Sequence, residues 1–264
     1  MLQHLSVAGL RSSFGTSVDF SLTYHSYNAD GSNMKVDSGV GNGWTHSFNT
    51  FLFTQRGQVF RIDSLGNVIC YRRGRNGSLS ASNPNWFENL SGNPGGPYTV
   101  TQKDQTQLNF AAIPQTPFMV AGPVYRLTSI TDRNNNTTTL TYAGGNLTRI
   151  TDTYGRSLVL SYNPQNKLTG ITDPLGRTTA LQYDGTGRNL IKITDPEGKS
   201  IQYRYNILSQ ITQKIDKDGR SFTFLYNAQS KPVAIKDAAG ATLFTLSNST
   251  NWAIDPNALA INLE

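Results

Sequence analysis

In the second half of the chain, apolar and polar residues alternate over five short segments. Such alternation is typical of a β-strand with one buried face and one face turned to water. The outward positions are mostly Ser, Thr, Gln and Arg, with Val159, Ala180 and Leu225 as exceptions. The positions expected on the buried face are Thr138, Leu140 and Tyr142; Leu158, Leu160 and Tyr162; Thr179, Leu181 and Tyr183; Ile201, Tyr203 and Tyr205; and Phe222, Phe224 and Tyr226.

The alternating segments belong to an internal repeat of about 21 residues. Each unit has a turn of the type I-T-D-x-x-G before the alternating strand, which closes with a tyrosine. Asp opens such turns by accepting backbone N–H groups, and Gly or Asn tolerates the positive φ that follows. Because short connections join neighbouring strands antiparallel, the units predict an all-β meander. The turn residues are Asp132, Asp152, Asp173 and Asp195 at the start, and Asn135, Gly155, Gly176, Gly198 and Gly219 three residues later.

The first strand of each unit has a less regular pattern. Leu147 and Ile150, or Leu168 and Ile171, lie three residues apart, which plain alternation does not give. A β-bulge would explain this spacing, and so would a strand that is buried on both faces. The sequence leaves both explanations open.

The first half of the chain also predicts β-structure, with a weaker pattern. Residues 14–62 contain an alternating segment and several aromatic residues, and residues 62–71 resemble a degenerate repeat unit. Residues 100–110 predict a hairpin around a Lys-Asp turn. The fold class is therefore all-β throughout.

A stretch rich in Gly, Ser, Asn and Pro, residues 74–97, predicts a long irregular loop in this half. It carries an aromatic pair, Trp86 and Phe87. Such a pair either pins the loop to the sheet or contacts a ligand.

These patterns predict three parts of the chain. Residues 1–126 form an N-terminal β-rich domain that leads into the repeats, and residues 127–247 form the repeat sheet. The pattern has lost its tyrosine in the last unit, so residues 248–264 are expected to be a cap or a tail.

The I-T-D-x-x-G-(R/K)…Y pattern over residues 127–247 resembles the YD-repeat of the Rhs family. Residues 17–28, followed by Gly-Val-Gly-Asn-Gly-Trp at 39–44, are similar to the extended strand and GxGW segment found ahead of such repeats. The family includes bacterial Rhs effectors, the shell of insecticidal toxin complexes and the teneurins. The resemblance implies hairpins that spiral into a curved sheet or partial shell, with a scaffold role.

In that family the shell commonly encloses a toxic domain. The sequence shows neither a self-cleavage motif nor a toxin domain of the kind that the resemblance implies. We therefore expect either a fragment of a longer protein or a relative that uses its sheet for another purpose.

The composition indicates a folded protein and argues against several functional classes. Aromatic residues make up 10% of the 264 residues, which a disordered chain would lack. The net charge of +6 is spread evenly over both halves, and no known nucleic-acid-binding motif is present, so no nucleic-acid partner is expected. Cys70 is the only cysteine, which excludes an intrachain disulfide. No run of 18 apolar residues predicts a membrane span.

No set of residues predicts catalysis, a metal ion or a cofactor. His25 and His46 lie 21 residues apart, close to the repeat period, and Asp30 and Asp37 are only nominal further ligands. The repeat aspartates would form a column that could bind Ca²⁺. A basic residue follows most of the turns, so turn capping with local ion pairs is the simpler interpretation.

We therefore expect a non-enzymatic shell or scaffold segment of a large exported Rhs protein, secreted or at the cell surface, and bacterial. Its partners would be proteins: the rest of a larger polypeptide, a cargo domain or other copies of the chain. The alternative is a surface adhesion module that binds carbohydrate or another cell-surface protein through exposed aromatic residues.

Overall fold

The computed structural model describes residues 1–11, 17–29, 38–73, 79–83, 85–93, 95–114 and 123–245. These residues form β-strands and one 3₁₀ turn, Ser26–Asn28, which confirms the all-β prediction. No helix in the described part of the chain is long and apolar enough to cross a membrane. The strands of the first half are β1 (Leu2–Leu10), β2 (Val18–His25), β3 (Trp44–His46), β4 (Phe51–Gln55), β5 (Gln58–Ile62), β6 (Val68–Arg73), β7 (Leu79–Ala81), β8 (Asn89–Gly92), β9 (Tyr98–Thr101) and β10 (Gln107–Ala112). The remaining strands are β11 (Val124–Thr131), β12 (Thr137–Ala143), β13 (Asn146–Thr151), β14 (Ser157–Tyr162), β15 (Leu168–Thr172), β16 (Thr178–Tyr183), β17 (Leu190–Thr194), β18 (Ser200–Tyr205), β19 (Ile211–Ile215), β20 (Ser221–Tyr226), β21 (Pro232–Lys236) and β22 (Thr242–Thr245).

The strands form two sheets. β1–β3 make a small antiparallel sheet, and β4–β22 belong to one antiparallel sheet that closes on itself as a barrel. The closing pair is β4 with β11, through Val124–Arg126, while β11 also pairs with β10 and, through Ser129–Thr131, with β12. β4–β11 therefore form a ring, from which the repeat strands β12–β22 continue as a curved wall.

Each repeat turn is built by its first residue. Asp152 Oδ1 accepts hydrogen bonds from the N–H groups of Tyr154 and Arg156, both at 2.9 Å, and Oδ2 accepts one from Arg156 Nε at 2.8 Å. Gly155 has a φ of +80°, in the left-handed region where a Cβ is strained. The other predicted turn positions with positive φ are Asn135, Gly176, Gly198 and Gly219.

A β-bulge at the start of each first strand explains its spacing. Between β14 and β15, Tyr162 pairs with Leu168 after a shift of register that leaves Thr169 as the additional residue. The additional residue turns both Leu168 and Ile171 inward, where they are 0% and 1% exposed. The same shift recurs between β10 and β11, β12 and β13, β16 and β17, β18 and β19, and β20 and β21.

The small sheet β1–β3 lies on the inner face of the wall. Phe20, Leu22 and Trp44 are buried in the same hydrophobic core as the inward residues of the repeats. The predicted alternation is confirmed, because the middle inward residue of every alternating strand is buried and its outward neighbours are more exposed. The wall therefore surrounds residues of its own N-terminal segment.

Three predictions about the layout of the chain have different outcomes. The prediction of an irregular loop over residues 74–97 is wrong in part, because β7 and β8 lie within them. The predicted domain boundary at 126/127 falls inside β11, and the division into domains stays a prediction. Residues 248–264, the predicted cap or tail, lie outside the described residues.

Candidate functional site

The inner face of the repeat wall carries a regular row of tyrosines, which we call the tyrosine column. Each hydroxyl donates a hydrogen bond to the backbone carbonyl of the residue 15 positions earlier. The acceptor is the residue at the bulge, where the ladder of backbone hydrogen bonds is interrupted. The donor and acceptor pairs are Tyr142 with Leu127 at 2.8 Å, Tyr162 with Leu147 at 2.9 Å, Tyr183 with Leu168 at 2.8 Å, Tyr205 with Leu190 at 2.5 Å, and Tyr226 with Ile211 at 2.9 Å.

Three tyrosines of the column, Tyr142, Tyr205 and Tyr226, stay protonated over the ordinary pH range. Burial raises the pKa of Tyr142, Tyr205 and Tyr226 above its usual value. The hydroxyls therefore remain hydrogen-bond donors. Trp44 of the small sheet adds a bond to this column, because its Nε1 donates to the Tyr205 hydroxyl oxygen at 3.0 Å.

The segment before β3 binds the wall at successive repeats. The carbonyl of Gly39 accepts hydrogen bonds from Leu168 N at 2.8 Å and from the Tyr183 hydroxyl at 3.2 Å. One repeat further on, Asn42 N donates to the carbonyl of Arg188 at 2.8 Å. These bonds satisfy backbone groups that lie at or beside the bulges.

A third contact of the same kind comes from β2. The Tyr24 hydroxyl donates to the carbonyl of Ser209 at 2.9 Å and accepts a bond from Ile211 N at 3.2 Å. Tyr24 is fully buried, and its ring lies against those of Trp44 and Tyr205, with centroids 5.3 and 6.5 Å away. The N-terminal segment therefore meets the bulges of three consecutive units.

Glycine is required where this segment approaches the wall. Gly41 has a φ of +95°, and a Cβ there would lie 2.7 Å from the carbonyl oxygen of Arg188. Gly39 has a φ of +74°, and a Cβ would lie 2.9 Å from the carbonyl oxygen of Asn166. The alternate glycines of the Gly-Val-Gly-Asn-Gly-Trp segment therefore allow close backbone contact with the wall.

The aspartates of the turns are engaged within the turns or with the next unit. Arg177 forms a 2.6 Å ion pair with Asp173, whereas Asp195 pairs at 2.6 Å with Lys217 of the next unit and not with the Lys199 that follows its own turn. Although burial opposes the change, hydrogen bonds from Arg177 lower the pKa of Asp173. Among the described residues, no group of three or more His, Cys, Asp and Glu side chains could hold a metal ion.

The two residues of the aromatic pair, Trp86 and Phe87, differ in their exposure to solvent. Trp86 is half-buried against the hydrophobic core, and Phe87 is 65% exposed. The ammonium group of Lys103 lies 5.0 Å from the centre of the Phe87 ring. Of the pair, Phe87 is therefore the residue that a ligand could reach from outside.

His25 and His46 lie in the small sheet, where His46 is buried and His25 is half-buried. His46 stacks on Phe20 with ring centroids 5.1 Å apart. Burial lowers the pKa of His25 to about 4, and burial together with the charge of Arg126 lowers the pKa of His46 to about 3. Asp30 and Asp37, the nominal further metal ligands, lie outside the described residues.

A buried polar cluster lies in the ring, where the sequence pattern does not predict one. Arg61 Nη2 forms a 2.6 Å ion pair with Glu88 Oε2, and both side chains are about 5% exposed. The Tyr71 hydroxyl donates to Glu88 Oε1 and accepts a 3.2 Å bond from Arg61 Nε. Glu88 thereby fixes the segment before β8 to β5 and β6. The one sequence signal is Tyr71, which ends the degenerate repeat unit.

The chain is similar to one family model and, at low TM-scores, to several solved structures. No curated protein matches the sequence. The N-terminal domain of effector protein SpvB from Salmonella typhimurium strain LT2 is similar in structure, with 10% identity and a TM-score of 0.41, over 92% of this chain and 100% of that one. TcdB2-TccC3 has 13% identity and a TM-score of 0.36, and the Tc holotoxin pore from Photorhabdus luminescens has 12% identity and a TM-score of 0.34.

The matches to the larger proteins cover most of this chain and only a small part of those proteins. The match to TcdB2-TccC3 covers 87% of this chain and 15% of that chain, and the match to the holotoxin pore covers 90% and 18%. The family model described as RHS Repeat matches residues 126–157, 162–188 and 189–221. The chain therefore carries RHS repeats over residues 126–221, which confirms the YD-repeat interpretation of its sequence.

Proposed function

We propose that this chain is a non-enzymatic segment of the shell of a larger exported bacterial Rhs protein, in which the repeat wall encloses or supports a polypeptide. The observation that carries the proposal is the binding of Gly39, Asn42 and Tyr24 at three consecutive repeats. The inner face of the wall thus holds a polypeptide chain through one set of bonds per unit.

This binding mode suits a wall that holds a polypeptide mainly through the backbone of that polypeptide, with little dependence on the polypeptide's side chains. Two of the three contacts use backbone atoms of the bound segment, namely the carbonyl of Gly39 and the N–H of Asn42. The buried wall positions Leu168, Leu190 and Ile211 supply apolar surface beside them. A longer wall with the same inner face would offer the same bonds to further polypeptide.

The last described strand, β22, is an exposed edge at which the wall could continue. β22 pairs with β21, and all four of its residues are exposed, including Leu243 and Phe244. An exposed strand with apolar side chains pairs readily with another strand. In the proposed function, the next strands of the larger polypeptide pair there.

The test uses the complete polypeptide that contains this chain. We expect its enclosed segments to resist protease in the wild type and to be cleaved faster when Tyr183→Ala and Tyr205→Ala open the wall. Gln182→Ala, on the outer face, is the matched control and should leave cleavage unchanged. Equal cleavage of the wild type and the double variant, with both folded, would show that the wall protects nothing.

A second candidate function is binding of carbohydrate by the ring β4–β11. A cavity of about 650 Å³ lies at its mouth, and its lining includes Tyr71, Tyr98 and Tyr125. Such aromatic surfaces pack against the apolar faces of sugars, and cavities at the mouths of β-barrels are common ligand sites. A glycan screen of the wild type and of Tyr125→Ala tests this candidate; binding that Tyr125→Ala weakens would support it, and no binding at all would exclude it.

A further inference from the structure

Among the described residues, Arg126 is a fully buried cation that forms no ion pair. Arg126, in β11, is 2% exposed and is among the largest fully buried side chains. It lies where β11 pairs with β4 and β10, with Phe51 and Ala111 as its strand partners. Its Nε and Nη1 atoms are buried and have no hydrogen-bond partner.

The other buried carboxylates and arginines show how this fold normally pairs such groups. Arg61 is as buried as Arg126, and Glu88 faces it at 2.6 Å. The buried carboxylates of Asp152 and Asp216 are held by the arginines of their own turns. Within the described ranges, each buried carboxylate is therefore engaged away from Arg126.

The groups around Arg126 supply no negative charge. Its guanidinium lies 5.1 Å from the centre of the Tyr142 ring, whose quadrupole offsets only part of the desolvation of the cation. His46 Nδ1 accepts a hydrogen bond from Phe48 N at 3.2 Å, which places the ring proton on Nε2 as a donor. Because burial and the charge of Arg126 lower the pKa of His46 to about 3, this ring is neutral.

An arginine side chain keeps its positive charge in a protein. A buried ion without a partner is strongly destabilising, so buried charges are paired or bind an ion. We propose that a small monovalent anion, of the charge and size of chloride, binds at Arg126 in the seam between the ring β4–β11 and the small sheet.

The seam determines which anion would bind. Arg126 supplies the positive charge, the Tyr142 ring lies 5.1 Å from its guanidinium, and the neutral His46 is close enough for the charge of Arg126 to lower its pKa. A site with one cation and so little exposed surface suits one small ion. Phosphate or sulfate would bring more charge and more acceptor atoms than these donors can satisfy.

The test measures thermal unfolding of the full chain at constant ionic strength, with gluconate replaced stepwise by chloride or bromide. At a halide concentration of about 100 times Kd, the midpoint of unfolding should rise by about 5–10 °C, since binding to the folded state alone stabilises it. The rise should saturate and should be lost in Arg126→Met, which keeps the length and removes the charge. Arg149→Gln, which removes an exposed cation from β13, should leave the rise intact.

Three results would overturn the proposal. They are a midpoint that does not depend on halide, a dependence of the same size in Arg126→Met, and a dependence that Arg149→Gln also abolishes. If Arg126→Met does not fold, anomalous diffraction from wild-type crystals grown in bromide decides the matter. A bromide peak beside the guanidinium supports the site, and ordered water alone in that position excludes it.

Discussion

The hydroxyl of Tyr183 donates a 2.8 Å hydrogen bond to the backbone carbonyl of Leu168. Leu168 is also the residue that pairs with Tyr162 of the preceding unit across the bulge. Tyr183 therefore satisfies a backbone carbonyl at the β-bulge, and the tyrosine of the preceding unit, Tyr162, lies beside the same bulge. The repeat spacing and the closing tyrosine follow from this single arrangement.

The first prediction concerns that hydrogen bond. Tyr183→Phe removes only the hydroxyl and leaves a carbonyl unsatisfied in the core, so it should lower the free energy of unfolding by about 1–3 kcal/mol. Tyr183→Ala also removes the ring and should cost about 3–5 kcal/mol. Gln182→Ala, on the outer face, should cost less than about 0.5 kcal/mol. Urea unfolding measures all three free energies. Equal losses of stability in Gln182→Ala and Tyr183→Ala would mean that Tyr183 does not face the core and Gln182 does not face the solvent.

The second prediction concerns the close approach of the N-terminal segment. Gly41→Ala places a Cβ in a left-handed backbone conformation and 2.7 Å from the Arg188 carbonyl oxygen. It should destabilise the protein by about 2–4 kcal/mol and speed protease cleavage of the segment around residues 38–43. Gly185→Ala is the matched control, because no atom lies within 4 Å of the position that its new Cβ would occupy. Equal rates of protease cleavage of this segment in both variants would argue against the close contact between Gly41 and the wall.

The third prediction concerns the buried ion pair of the ring. Arg61→Met leaves the Glu88 carboxylate buried with only Tyr71 as a donor, and should cost about 3–5 kcal/mol. The double variant Arg61→Met with Glu88→Met should recover much of that loss, because neither charge remains. Breaking the exposed pair with Arg177→Met should cost no more than about 1 kcal/mol. A double variant that is less stable than Arg61→Met would contradict this account.

The fourth prediction concerns acid. The pKa values of His25 and His46 are lowered to about 4 and about 3 in the folded chain, so as pH falls below the ordinary value of 6.5 the unfolded chain binds protons first. The free energy of unfolding should therefore fall between pH 6.5 and about 4, by up to about 1.4 kcal/mol per pH unit for each histidine. Chemical unfolding at a series of pH values measures the slope. Replacing both histidines by Gln should flatten it; an unchanged slope would assign the effect to other groups.

The repeat wall could be predicted from the sequence because its determinants are local. Alternation indicates the facing of strands such as Ser157–Tyr162, and the Asp-x-x-Gly spacing indicates the turns. The three-residue spacing of Leu168 and Ile171 required a bulge or burial on both faces, and periodicity alone does not distinguish the two. The structure decides for the bulge.

The contacts between the N-terminal segment and the repeat wall could not be predicted, because they join residues far apart in the chain. Tyr24 binds Ser209 across 185 positions, and Gly39 binds Tyr183 across 144. Neither contact leaves a periodic signal, since each residue of the bound segment meets a different unit. The alternate glycines before Trp44 are the one visible sign, and their meaning depends on the carbonyl oxygens that they approach.

The fifth prediction is that the isolated chain forms dimers or larger assemblies through the edge of its sheet. β22 is the last described strand, and its residues are exposed, with Leu243 at 52% and Phe244 at 42%. An exposed apolar strand presents unpaired backbone groups and side chains to another strand, and no covering charge or proline lies within Thr242–Thr245. Phe244→Lys should therefore favour the monomer, whereas Leu175→Lys, at an exposed turn, should not. Light scattering after size-exclusion chromatography, over a wide concentration range, distinguishes these states. A wild-type chain that stays at 29.0 kDa throughout would show that the edge is already covered within one molecule.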